Sequence, residues 1–180
     1  MTSLVILIAA AAAQAGYLAD AGNARPIAAD RAIQIFRDVC VEPLPNAERF
    51  VAAMNAVGVP WSKVSRSPRD VALQGNSWQS AIGAVAYNHQ GAFGELIRAG
   101  AACHFAFRTD SSYAHDQASA LIISALQLGP GKNVGSRKEP QTRWETKPVG
   151  GKYLRFFLTT RATAPGGQQA LLSVSERLAE

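Results

Sequence analysis

Cys40 and Cys103 are the only cysteines in this chain of 180 residues, and whether they join decides how the N-terminal third sits on the rest. Two thiols pair and stay paired in oxidising compartments and remain reduced in the cytosol. The opening stretch, MTSLVILIAAAAAQAGY, therefore bears on the fold. Leu4 to Ala13 is an uninterrupted apolar run, and Ala13-Gln14-Ala15 sets small residues around one polar one, as a signal peptidase requires. Residues 1–15 are read as a signal peptide whose removal leaves Gly16 first. The run is far shorter than the ~20 residues of a spanning helix, so no stable transmembrane anchor is expected. No Lys or Arg precedes it, the first basic residue being Arg25. A start codon placed too far downstream, or cleavage after Gly22-Asn23-Ala24, accommodates that. The competing reading is an Ala-rich helix, but Leu4-Val5-Ile6-Leu7-Ile8 lacks the polar face of a surface helix.

On the exported reading Cys40 and Cys103 form a disulfide, stabilising by about 4 kcal/mol on the chain-entropy account. The alternative makes Cys103-His104 a nucleophilic dyad. Neighbours on a strand point to opposite faces, which keeps those two side chains apart. About 165 residues remain after cleavage, enough for one domain with a core and too few for two. With 48% hydrophobic and 17% charged residues the composition is that of a globular chain. Residues 16–25 are expected to be a flexible N-terminal segment and 26–180 a single domain.

From Pro26 to Val41 the spacing of Ile33, Phe36 and Cys40, with Ile35 and Val39 beside them, predicts a helix with Pro26 in its first turn. Asn46 caps a second helix striped by Phe50, Met54 and Val57 and closed by Gly58. Residues 59–77 read as a connection with at most a helical turn around Pro68 to Leu73, and Trp61 folding back onto the second helix. Trp78 to Tyr87, Phe93 to Arg98 and Ala101 to Arg108 are strand candidates. In the last, Cys103, Phe105 and Phe107 share the face expected to be buried. Asp110, Ser111 and Ser112 cap a third helix striped by Leu121, Ile122, Ala125 and Leu128, which Gly129-Pro130-Gly131 stops. Thr142 to Lys147, Lys152 to Thr163 and Gln168 to Arg177 read as strands, the last two as a hairpin. The order predicts an α+β domain, an antiparallel sheet with helices packed on one face.

Charge is concentrated. Lys132, Arg137, Lys138, Arg143, Lys147, Lys152 and Arg155 stand against only Glu139 and Glu145, so this segment carries the whole +5 of the chain. These seven are the candidate binding residues. Trp144, Tyr153, Phe156 and Phe157 are interleaved with them, as in a polyanion-binding surface, although alternation sends half of such residues to the core.

Other chemistry finds little support. His89, His104 and His115 have no partner at metal-motif spacing, so no metal is expected. Gly129-Pro130-Gly131-Lys132 follows a helix and lacks the hydroxyl residue after Lys that a phosphate-binding loop needs, and no cofactor is expected. Gly75-Asn76-Ser77-Trp78-Gln79 ends in Gln where a nucleophile elbow needs Gly. Asp110 and Asp116 are accounted for as acids at a helix start.

In overall pattern the chain resembles small exported proteobacterial proteins of unassigned function. The leader, Phe36-Arg37-Asp38-Val39-Cys40, Gly58, Trp78, the Ala102-Cys103 strand and the closing strands from Trp144 carry the resemblance. It implies a Cys40 to Cys103 bridge and an extracytoplasmic location, and it supplies no catalytic residues. Some of those proteins are lipid-anchored; here no Cys stands near the end of the leader. The expectation is a non-enzymatic periplasmic or secreted domain that binds an anionic envelope component or acidic protein through the basic segment, nucleic acid being disfavoured outside the cytoplasm. The alternative is a small envelope hydrolase using His104 or His115 with Asp110 or Asp116.

Overall fold

The alternation of Cys103, Phe105 and Phe107 with Ala102, His104 and Ala106 organises the molecule, because it gives the sheet one face to bury and one of different character. The computed structural model describes residues 21–65, 75–88, 99–109, 115–163 and 167–179. The expected leader over 1–15, the turn at Pro68 to Leu73, the strand Phe93 to Arg98, His89, and the capping residues Asp110, Ser111 and Ser112 lie outside them.

The described helices are α1 (Ala29–Phe36), α2 (Ala47–Ala56) and α3 (His115–Leu126). The strands are β1 (Ser62–Lys63), β2 (Asn76–Ser80), β3 (Gly83–Asn88), β4 (Ala99–Thr109), β5 (Lys132–Asn133), β6 (Gln141–Glu145), β7 (Lys152–Thr163) and β8 (Gly167–Leu178). All pair antiparallel in one sheet, in the order β1-β2-β3-β4-β8-β7-β6-β5. The expected α+β architecture is thus the observed one.

Register assigns the faces. Cys103 lies between Tyr87 and Val174, and Phe105 between Val85 and Leu172, so these residues point one way together with Phe156, Leu158 and Trp144. Onto this face pack Ile33, Ile35, Phe36, Phe50, Met54, Ala118 and Ile122 from the three helices, forming one apolar cluster. We call it the helix face and its opposite the second face.

Helix α1 starts at Ala29, so Pro26 precedes it rather than standing in its first turn, and α1 runs into a π-helical turn, Arg37–Val41. That turn buries Val39 and Cys40, and Cys40 bonds Cys103 across 5.3 Å between Cα atoms, a sequence separation of 63. The bond ties the end of the first helix to the middle of β4. Helix α2 is capped as expected: Asn46 Oδ1 accepts from Arg49 N–H at 3.0 Å, and Gly58 takes a left-handed φ of 71° past its end. Trp61 does fold back, lying beside Phe50 and Met54 and meeting Phe105 edge-on.

Three further details differ from expectation. Leu121 is 40% exposed, and the stripe of α3 runs through Ala118 and Ile122, one turn apart on the face that meets the sheet. The helix ends earlier too, at Gln127 with φ 52°, where Leu128 N–H bonds Ile123 O, before Gly129 is reached. Trp78 to Tyr87 is a hairpin rather than one strand, turning at Ala81-Ile82.

Within the segment expected to be flexible, Ala21, Ala24 and Arg25 have partners. Ala21 is fully buried against Ala86, Ala106 and Leu171 on the second face, and Arg25 N–H bonds Ala81 O at 2.7 Å. Ile27 N–H then bonds Arg108 O at 2.9 Å as the chain rounds the sheet into α1.

Candidate functional site

The second face is built by the residues that alternate with the core. Across it, Lys132 pairs with Arg143, Arg143 with Phe157, Phe157 with Ser173 and Ser173 with His104. The adjacent row runs Glu145, Arg155, Ser175, Ala102, and the next sets Tyr153 against Arg177. Strand alternation therefore gathers Arg143, Arg155 and Arg177 from three consecutive strands onto one patch.

Glu145 is the carboxylate of this patch. Its Oε1 accepts from Arg155 Nε at 2.7 Å and lies 3.7 Å from Arg143 Nε. Arg155 also donates to Tyr153 Oη at 2.8 Å, with its guanidinium carbon 5.6 Å from the centre of that ring. Arg177 donates to Ser175 Oγ at 3.2 Å and has no carboxylate partner among the described residues. Burial holds the Arg177 pKa below the usual guanidinium value and the positive Arg155 adds to the effect, while Tyr153 and Glu145 oppose it. Three guanidiniums against one carboxylate leave two positive charges uncompensated on a partly desolvated patch, the arrangement that favours an anion.

Of the seven basic residues singled out from sequence, Lys132, Arg143 and Arg155 share this face. Lys152 points to the helix face, where Glu176 accepts from its Nζ at 2.9 Å. Arg137 and Lys138 are exposed in the connection from β5 to β6, and Lys147 in that from β6 to β7. Tyr153 is one of the rings interleaved with the basic segment, whereas Arg177 and Ser175 are not among the sequence candidates. Their signal is the period-two pattern Ser173, Ser175, Arg177, which becomes informative only once β8 is registered against β7.

The histidines fall on opposite faces. His104 Nδ1 lies 2.8 Å from Ser173 Oγ, directly across from it on the second face, and burial lowers its pKa to about 4. His115 stands at the start of α3 with Nδ1 at 2.9 Å from Thr160 Oγ1 and Nε2 at 2.8 Å from Thr142 Oγ1. Both its ring nitrogens are engaged by hydroxyls on the helix face, and burial lowers its pKa against the opposing pull of Asp116. Asp116 cannot serve His104 through the sheet, and Asp110 lies outside the described residues. Among the described residues no three His, Cys, Asp or Glu side chains converge as metal ligands, and no helix is long and apolar enough to cross a membrane.

A hollow between α2 and the sheet is lined by Phe50, Val51, Met54, Asn55, Trp61 and Trp78. Its volume of about 70 Å³ is well below the ~300 Å³ at which small-molecule pockets begin.

No protein-family model matches the chain, and no curated relative matches it. Among solved structures, the crystal structure of human STARD10 is similar over 76% of this chain and 69% of that chain, at 9% identity and a TM-score of 0.23. At that score the likeness carries no argument.

Proposed function

We propose that this chain is an exported, non-enzymatic binding domain that holds an anionic ligand on the second face of its sheet, between Arg143, Arg155 and Arg177. The observation that carries the reading is the surplus of guanidinium over carboxylate on that patch, with Arg177 partly buried and without an ion pair among the described residues. A guanidinium offers planar, forked donors suited to the oxygens of a phosphate or carboxylate. The Cys40–Cys103 bond supports a periplasmic or secreted location, since such bonds persist where thiols are not kept reduced. An anionic envelope component or an acidic protein fits that compartment.

Titration calorimetry with pyrophosphate and with polyglutamate at rising sodium chloride tests the reading. Affinity should fall with salt. Arg155→Ala and Arg177→Ala should each weaken binding about tenfold or more, as loss of a charge-assisted hydrogen bond predicts. The exposed pair Arg137→Ala/Lys138→Ala should stay within about twofold, because screened loop charges contribute little. Binding that ignores salt, or that survives both arginine substitutions, removes the proposal.

One observation favours a second reading, a small envelope hydrolase: the 2.8 Å contact of His104 with the Ser173 hydroxyl places a base beside a potential nucleophile. Ester hydrolysis that disappears in Ser173→Ala would support it. Activity unchanged in that variant would remove it.

A further inference from the structure

The connection from β6 to β7 is shaped unlike a solvated loop. Gly150 and Gly151 take φ values of 58° and 74°, the pair of left-handed residues that a two-residue type I′ turn needs. Val149 N–H bonds Lys152 O at 2.7 Å and Lys152 N–H bonds Val149 O at 3.1 Å, closing the turn. Ala179 N–H holds Gly151 O at 2.8 Å, and Thr146 N–H holds Leu154 O at 2.9 Å below the tip. The backbone is thus fixed, and beside the apex Val149 is 80% exposed, the most exposed large apolar side chain among the described residues. Leu178, paired in register with Lys152, is 54% exposed.

Cations flank this end of the sheet on both faces: Lys152 lies with Leu178 on the helix face, and Arg155 and Arg177 point from the second face. Lys147 precedes Val149 on the same connection, and Lys152 follows the turn. Tyr153 and Arg177 form the next rung of β7 and β8, and Arg155 lies beyond it. Lys152 is held by Glu176 and Arg155 by Glu145, leaving Lys147 and Arg177 as the charges without an ion pair at this end of the sheet among the described residues. A stiff apolar tip bordered by lysine, arginine and one tyrosine has the chemistry of an interfacial anchor: the apolar group enters the acyl boundary while the cations meet phosphate.

We infer that the β6–β7 turn docks this domain end-on against a lipid surface rich in anionic headgroups, with Val149 and Leu178 entering the apolar boundary at the end of the sheet and Arg177 with Arg155 reaching a headgroup phosphate from the second face. The inference rests on the anion-binding reading of the arginine patch and names the source of the anion as a membrane rather than a free phosphate. Each cation near such a surface multiplies the partition about fivefold, and burying one valine multiplies it about tenfold or more. Docking therefore needs both the tip and the charges.

Co-sedimentation with phosphatidylglycerol-containing vesicles and with pure phosphatidylcholine vesicles, alongside pyrophosphate calorimetry, separates the outcomes. The full chain should sediment with the anionic vesicles at low salt and not with the neutral ones. Val149→Asp, at an exposed site that spares the core, should lower vesicle partition about tenfold or more and leave pyrophosphate affinity unchanged. Arg177→Ala should lower both. Val149→Trp should show a blue-shifted emission increment with anionic vesicles alone. Vesicle binding unchanged in Val149→Asp, or pyrophosphate binding without any vesicle binding, overturns the membrane inference and leaves the anion reading standing. Failure to bind either probe overturns both.

Discussion

His104 shows how a single side chain reports on the second face. Its imidazole faces Ser173 and is held neutral, with a folded pKa of about 4 against 6.5 in an unfolded chain. Between those values the unfolded chain binds a proton that the folded one refuses, so stability is fully present above pH 6.5 and declines as pH falls toward 4. The span corresponds to as much as about 3 kcal/mol. Urea unfolding at pH 7 and at pH 4.5 should show a lower midpoint in acid, and His104→Gln should shrink the difference. His115, whose pKa burial also lowers, contributes in the same sense, so a His104→Gln/His115→Gln double variant should shrink it further. An equal drop in wild type and double variant would refute this account. The same residue marks what was legible. That Cys103 and His104 point apart follows from alternation alone, and so does the division of the basic segment between two faces. That Arg143 and Arg155 would be joined by Arg177 was not legible, because cross-strand register is set by tertiary pairing and by turns whose composition does not announce it.

At the scale of elements, the long strands and the two-helix start are written in apolar spacing, and the errors fall at turns. The β2–β3 hairpin is not legible in the sequence because Ser80-Ala81-Ile82-Gly83 carries none of the usual Asn-Gly or Pro signals. The turn is instead made by Ser80, whose Oγ accepts from Ile82 N–H at 3.2 Å and donates to Gly83 O at 3.3 Å. Gly83 is needed for a second reason: a Cβ there would strike the Ala106 carbonyl oxygen of β4 and come within 3.0 Å of the Phe105 ring. Replacing Gly by Ala elsewhere commonly stabilises by a few tenths to ~1 kcal/mol through the unfolded chain. Here Gly83→Ala should reverse that sign and cost about 1–3 kcal/mol, as overpacking does. Denaturant unfolding measures it, and a variant as stable as wild type would show that β3 and β4 can move apart. The two-residue strands β1 and β5 are illegible for a related reason, since a pair of residues has no period to read.

For the whole molecule, the disulfide and the apolar cluster join the same two layers. Cys40 leaves the helical layer and Cys103 the middle of β4, within the cluster that also holds Phe36, Phe50, Phe105 and Val174. Because many residues besides the two cysteines pack those layers together, the bond acts chiefly by restricting the unfolded chain, and closing a loop of this length contributes about 4 kcal/mol. With a urea slope of roughly 2 kcal/mol per molar, Cys40→Ala/Cys103→Ala should lower the unfolding midpoint by about 2 M. Reduction of the wild type should do much the same. A midpoint that ignores both treatments would mean that the bond does not form or that the unfolded chain is already compact. The arginine patch supplies the complementary outcome. Arg143, Arg155 and Arg177 stand on β6, β7 and β8, positioned by strand pairing and pointing away from the face that holds the sulfurs. In conditions where the double variant stays folded, its pyrophosphate affinity should therefore match that of wild type within about twofold. A large loss would show that the bond shapes the binding face as well as the stability, and that the two faces of the sheet are mechanically coupled.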